Sequence, residues 1–280
     1  MSEVTYEDIL YATDGPVATI TMNRPQALNA FTGRMLAEIR HAIGSAEKDE
    51  SVVGIVLTGA GKGFCAGMDM NALDNLSSGS GDGSDDLSRL NTDLGNPEMG
   101  EDFQVTYSYL LAVQKPIIAA VNGACAGLGM SVAMFCDMRI MAEDAKFATA
   151  FAQRGLVAEH GISWSLPRIV GPSRALDLLW SGRRVLAPEA ERIGLVDRVV
   201  ESGKAAEAAQ DYVRMLAETS APLSLKVMKQ QVYTHMATPV GDAMRQTNKL
   251  MAESLKRDDF REGVRSFLEK RPPNFAPVKG

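Results

Sequence analysis

Residues 115–140 read KPIIAAVNGACAGLGMSVAMFCDMRI, and this stretch decides the fold. Ile117–Val121 is a short, continuously apolar, β-branched run, the pattern of a strand buried on both faces. Asn122 to Gly127 is a turn of small residues. Leu128–Cys136 then returns to helical spacing, and Met138–Met141 reads as a further short strand. A strand that enters a helix through small residues leaves the helix's first N–H groups without intrahelical partners. Those donors carry partial positive charge and suit an anion or a developing oxyanion.

The same construction occurs upstream. Val52–Thr58 reads as a buried strand, and GAGKGFCAG (59–67) as a glycine-rich loop leading to Met68-Asp69. Two such turns facing one another would clamp one carbonyl oxygen. Further outward, Thr5–Tyr11 and Val17–Met22 read as a hairpin about Asp14-Gly15-Pro16. A helix follows Asn23-Arg24-Pro25, with Phe31, Met35, Ile39, Ala42, Ile43 and Ala46 on one face. The piece DNLSSGSGDGSDD lies in a Gly/Ser/Asp-rich flexible insertion, 72–102, and order returns with Phe103–Val113. Beyond Pro172 the pattern predicts helices over 173–181, 188–194, 203–218, 222–236, 240–257 and 259–269. The expected organisation is an α/β core over 1–200 and a helical region over 201–280.

Composition narrows the function. With Lys+Arg 29 against Asp+Glu 35, the net charge of −6 argues against a dedicated nucleic-acid protein, which needs basic surface to release counterions. It leaves room for an anionic small ligand held by a few local bases. No apolar stretch reaches the roughly 18 residues of a membrane helix, because Asn122, glycines and Asp137 interrupt the longest one. The acidic start MSEVTYEDIL lacks the pattern of a signal peptide. Cys65, Cys125 and Cys136 show no metal spacing, and with only His41, His160 and His235 a histidine-rich metal site is excluded. A reduced cytoplasm is the expected compartment. The 15 Met residues at helical spacing are core filler. GAGKGF lacks the third glycine of a dinucleotide loop and the Ser/Thr of a P-loop. Gly129-Met130-Ser131-Val132-Ala133 loosely matches a nucleophile elbow, but Ser131 falls inside the helix rather than at the turn, so close helix packing is the better account.

Asn29-Ala30 after Arg24-Pro25, then FCAGMDM, then the 115–140 segment together resemble the crotonase (enoyl-CoA hydratase/isomerase) superfamily. The resemblance runs from about Val17 to Glu269-Lys270-Arg271-Pro272-Pro273. It implies a spiral of ββα units with a helical C-terminal trimerisation region, in a homotrimer or a dimer of trimers. It implies an enzyme that binds an acyl-CoA thioester and stabilises its enolate, with coenzyme A as part of the substrate and no permanently bound cofactor or metal. The oxyanion donors would be the backbone N–H groups of Met68 and Leu128. Ala27, Leu28 and Ala30 would line the CoA site with Ala66, Gly67, Asp69, Met70, Gly127 and Phe151. Phe267 and Lys270 match C-terminal positions that reach CoA, in some members across a subunit boundary.

The chain departs from a hydratase at two points. Hydratases of this family use two glutamates to activate and deliver water. At the aligned positions this sequence has Ser131 and Phe151. One acid remains in the relevant loop: Glu159, followed by His160-Gly161. The resemblance extends to single-acid members, the peroxisomal-type Δ3,Δ2-enoyl-CoA isomerases among them. One carboxylate suffices for isomerisation, because the proton taken from C2 is returned at C4. An apolar neighbour such as Phe151 or Trp164 favours that shuttle. His160 would orient Glu159, or simply cap the turn. The competing accounts are an ordinary loop salt bridge from Glu159 to Arg154 or Arg168, a hydrolase of a cyclic or branched acyl-CoA, and a non-catalytic acyl-CoA-binding protein. Dehalogenation is disfavoured, since Phe151 stands where a dehalogenase of the family has tryptophan.

Overall fold

The computed structural model of the chain describes residues 4–69 and 87–278. Met70, residue 71 and residues 72–86 of the expected insertion lie outside them. β1 (Ile9–Asp14) and β2 (Val17–Met22) pair antiparallel with Asp14 opposite Val17. The first strand thus starts four residues later than the predicted Thr5–Tyr11. The backbone N–H groups of Glu7 and Asp8 are instead taken by Glu38, each at 2.8 Å. A 3-10 turn at Pro25–Ala27 precedes α1 (Gly33–Lys48), whose N-terminus is capped by Thr32 Oγ1 accepting from Met35 N at 3.0 Å.

After α1 the chain repeats one pattern. A strand joins a large sheet, a three-residue strand joins a small one, and a helix follows. β3 (Gly54–Gly59) leads to β4 (Gly63–Cys65). After a short helical turn, α2 (Tyr109–Ala112), β5 (Ile117–Val121) leads to β6 (Ala124–Ala126) and α3 (Leu128–Phe135). β7 (Met138–Ala142) leads to β8 (Lys146–Ala148) and α4 (Ile162–Val170). Then come α5 (Pro172–Ser181), β9 (Val185–Leu186), α6 (Ala187–Arg192) and β10 (Arg198–Val200). The chain ends in α7 (Ala205–Thr219), α8 (Pro222–His235), α9 (Val240–Ser254) and α10 (Asp258–Glu269).

The large sheet has the order β1-β2-β3-β5-β7-β10 and is parallel beyond β2. The small sheet has the order β4-β6-β8-β9, parallel except for β8 with β9. This is the expected spiral of ββα units. Two segments read as loops, 59–67 and 122–127, therefore contain the strands β4 and β6. Strands this short carry no recognisable alternation. α4 also escaped the sequence reading, because Pro167 sits inside it.

The core lies between the sheets and α1, α3 and α7, centred on Phe31, Phe64, Ile55, Leu57, Ile117 and Phe147, each 1 % exposed or less. α7 buries Ala205, Ala209 and Val213 against the large sheet. α8 and α9, by contrast, contain no fully buried residue, and α10 only Ser266, so Met228, Met244 and Met251 are exposed there rather than the expected core filler. α8 is instead tied down by one charged contact. Lys229 Nζ donates to Asp137 Oδ2 at 2.7 Å and to the carbonyls of Leu110 and Lys115, while Tyr233 donates to Asp137 Oδ1 at 2.8 Å.

Candidate active site

Three loops converge where successive coils of the spiral touch. The first follows β4. Its shape is set by Asn29, fully buried with φ +56°, whose side chain ties three segments together. Its Oδ1 accepts from Arg24 N at 2.9 Å, and its Nδ2 donates to Ala60 O at 2.9 Å and Gly63 O at 2.8 Å. Asparagine suits both tasks, since it tolerates the left-handed conformation and carries donor and acceptor together.

Segment 28–31 then runs beside 66–69. Ala66 N donates to Leu28 O, Phe31 N to Gly67 O at 2.7 Å, and Asp69 N to Phe31 O at 3.0 Å. Arg24 clamps the pair, reaching Ala30 O at 2.7 Å and Asp69 Oδ2 at 2.9 Å. Ala27, Leu28, Ala30, Ala66, Gly67 and Asp69 are thus brought to one edge, with Leu28 exposed there. Because amides of an extended segment alternate in direction, the bonds of Gly67 and Asp69 to Phe31 turn the Met68 N–H to the opposite side. Among the described residues no backbone hydrogen bond takes up that group.

The second loop follows β6. Gly127 N donates to Ala148 O at 3.0 Å, and Gly127 O accepts from Ser131 N, opening α3. Leu128 is the first residue of α3, so its N–H points out of the helix end, and no described backbone carbonyl takes it. The two loops meet at glycines. Gly67 has φ +109°, and a Cβ there would stand 3.6 Å from Leu128 N. A Cβ on Gly129 would stand 2.5 Å from Cys65 O. Only glycine permits this approach, and it places the Met68 and Leu128 turns side by side.

The third loop runs from β8 to α4. Phe151 is buried, at 5 % exposure. The Glu159 side chain is about one-third exposed (34 %). His160 follows in a left-handed conformation, φ +57°, with Nε2 at 3.6 Å from Glu159 Oε2. Burial pulls the imidazole below its ordinary pKa, against the smaller opposing pull of Glu159. The arginines considered as partners are engaged elsewhere. Arg154 donates to Ala150 O at 2.7 Å, and Arg168 lies over the Trp164 ring, 4.1 Å from its centroid. Ser131 is fully buried, and its hydroxyl turns back on Gly127 O at 3.4 Å, as packing rather than nucleophilic use requires.

Phe267 and Lys270 lie at the far end of the chain. Phe267 is 82 % exposed, and Lys270, at φ +54°, ends α10. Two residues near the site escaped the sequence reading. Cys65 lies behind the first turn, and burial pushes its thiol up to about 12, so it stays neutral. Tyr107 meets the His160 ring, and no local pattern in the sequence could have joined them. No group of three or more His, Cys, Asp or Glu among the described residues could hold a metal ion. No described helix is long and apolar enough to cross a membrane.

The chain matches the family model described as enoyl-CoA hydratase/isomerase over residues 12–277. It is 34 % identical over 276 residues to the 1,2-epoxyphenylacetyl-CoA isomerase of Escherichia coli, covering 96 % of this chain and 98 % of that protein. It is 32 % identical to the short-chain-enoyl-CoA hydratase of Clostridium acetobutylicum, over 94 % of this chain and 95 % of that one. Among solved structures, an enoyl-CoA hydratase subunit I from Geobacillus kaustophilus superposes with a TM-score of 0.81 at 32 % identity, over 96 % of this chain and 98 % of that one. Motifs, spiral and full-length matches agree, and the chain belongs to the enoyl-CoA hydratase/isomerase family of the crotonase superfamily.

Proposed function

We propose that this protein is a single-carboxylate acyl-CoA isomerase that shifts a Δ3 double bond to Δ2 through a thioester enolate, in fatty-acid or related acyl-CoA metabolism. The observation that carries the reading is the distribution of acids: positions 131 and 151 hold Ser and Phe, whereas Glu159 stands at the entrance to α4 beside His160. A water-adding mechanism lacks its two groups. A proton shuttle needs one.

The α-proton of a thioester is too weakly acidic to leave at pH 7 unless the enolate oxygen is held. The N–H groups of Met68 and Leu128 would supply that, each worth roughly 3 kcal/mol. Glu159 would take the C2 proton as electrons move into the thioester. As the double bond re-forms between C2 and C3, it would return the proton to C4. A positioned base of this kind contributes about 100- to 10,000-fold. The 27–30 and 66–69 edge, with Met70, Gly127 and Phe151, would seat the CoA and acyl chain. The Escherichia coli relative bears the name of an isomerase and the Clostridium acetobutylicum relative that of a hydratase, so it is the residues at 131, 151 and 159 that favour isomerisation here.

The same reading divides the chain into a core to residue 200 and a helical region from 201 that serves a homotrimer or a dimer of trimers. The exposed Met228, Val232, Met244, Met251 and Phe267 of α8 to α10 support it, and Phe267 and Lys270 would then reach CoA on a neighbouring subunit. Light scattering at the 30.1 kDa of one chain would contradict it. The three buried, unpaired cysteines accord with a reducing cytoplasm.

The deciding experiment offers 3-enoyl-CoA and 2-enoyl-CoA to the native enzyme and to Glu159→Gln. The expected result is double-bond migration that falls at least 100-fold in the variant. Migration unchanged by the substitution removes Glu159 as the base. Hydrolysis products would favour the hydrolase reading, and CoA binding without turnover the binding-only one.

A further inference from the structure

The Tyr107 ring meets the His160 imidazole edge-on, with centroids 5.6 Å apart and planes at 80°. Two non-glycine residues in the left-handed region frame the contact: Thr106, φ +30°, just before Tyr107, and His160 itself. Non-glycine residues persist in such conformations only where the surroundings hold them, which is why they collect at working sites. Tyr107 thus ties the segment before α2 to the Glu159 loop.

We propose that Tyr107 is a positioning residue for the base: its ring shields His160 from water, keeps the imidazole neutral and so leaves the Glu159 carboxylate available to substrate. This rests on Glu159 being the base. A protonated His160, 3.6 Å away, would engage the carboxylate as an ion pair and hold it out of the reaction. Burial of the imidazole opposes that protonation. Several groups face His160. From its own loop comes Glu159. From the segment before α2 comes Tyr107, pushed up to about 12 and neutral at pH 7. From α3, Phe135 packs beneath Gly161, and from α4, Trp164 stacks on Phe135 with its own face covered by Arg168. Among the groups named, Glu159 supplies the one acidic side chain and Arg168 the one guanidinium.

The test follows the imidazole directly. With only three histidines, His160→Gln identifies the His160 signal in an NMR titration of isotope-labelled protein. The native His160 should titrate below 6.5, and Tyr107→Phe should keep it there. Tyr107→Leu, whose smaller side chain cannot cover the imidazole as the ring does, should raise it, and Glu159→Gln should lower it. The acid limb of kcat/KM should climb with the titration in Tyr107→Leu, where a half-unit rise means about threefold lower activity on that limb. The proposal is overturned if Tyr107→Leu leaves the His160 titration in place, if Tyr107→Phe moves it as far, or if the limb does not follow. An enzyme with no isomerase activity would defeat the assignment of Glu159, while the titration would still decide the relation of Tyr107 to His160.

Discussion

Gly129→Ala tests the junction of the two turns. In an ordinary helix the exchange is favourable by up to about 1 kcal/mol. Here the new Cβ would stand 2.5 Å from Cys65 O, about 0.9 Å short of the 3.4 Å at which ordinary contact begins, and 2.7 Å from Cys65 Cβ. Neither neighbour is the free end of a flexible side chain, so α3 must slide away from β4. Overpacking of this kind costs about 1–3 kcal/mol and outweighs the propensity gain. A net loss of about 1–2 kcal/mol lowers the melting temperature by several degrees in a chain of this size. Activity should suffer more. Leu128 N–H moves with α3, and an oxyanion donor displaced by most of an ångström forfeits about 100-fold in kcat. Thermal melts and initial rates on 3-enoyl-CoA measure the two effects. Ser131→Ala on the same helix is the control, and it should change both little, since its hydroxyl makes only the 3.4 Å contact with Gly127 O. An unchanged melt would refute the close approach. A lowered melt with full kcat would refute Leu128 as a donor.

Glu47 accepts from Gly95 N and Gln114 N, both at 2.7 Å and largely out of water, so Glu47→Ala should cost about 2–4 kcal/mol in urea unfolding and Glu47→Gln roughly half of that. Lys229→Met strands the Asp137 carboxylate and should cost about 3 kcal/mol, and adding Asp137→Asn should recover part of it in a double-mutant cycle. Burial raises Cys65, Cys136, Tyr11 and Tyr107 to about 12. Their neutral forms are favoured by folding, so this stabilisation is complete below about pH 9 and drains as the pH climbs towards 12. Lys115, lowered by burial to about 8, acts in the opposite sense but is one group against four. The urea midpoint should therefore fall between pH 9 and 12; a midpoint constant over that range would contradict the burial of these groups.

The parts of the molecule legible in the sequence were those with local repetition. β5 matched its predicted span and α3 ended one residue short of its own, because continuous apolar runs are patterns within a few residues. β4, β6 and β8 are three residues each, too short for period-2 alternation, and what fixes them is pairing with one another across the spiral. The first strand was placed too early because Glu38, distant in sequence, claims the N–H groups of Glu7 and Asp8 and holds that segment off the sheet. In the site, the glycines of both turns were visible, since close approach demands them. The Tyr107–His160 contact was not: it joins two loops whose own sequences carry no sign of each other.

The meeting of coils at Gly67 and Gly129 also bears on how this chemistry can change. The N–H groups of Met68 and Leu128 are main-chain atoms, and no side-chain exchange at those positions deletes them. The residues that the proposed reading sets against water addition, at 131, 151 and 159, act through side chains, and Ser131 sits on α3 only three residues beyond Leu128. On the proposed reading, the donors that form the enolate therefore lie beyond the reach of point deletion, while the groups that decide its fate do not. Glutamates placed at 131 and 151 one at a time would test that division, since Ser131 is fully buried on the helix that carries Leu128.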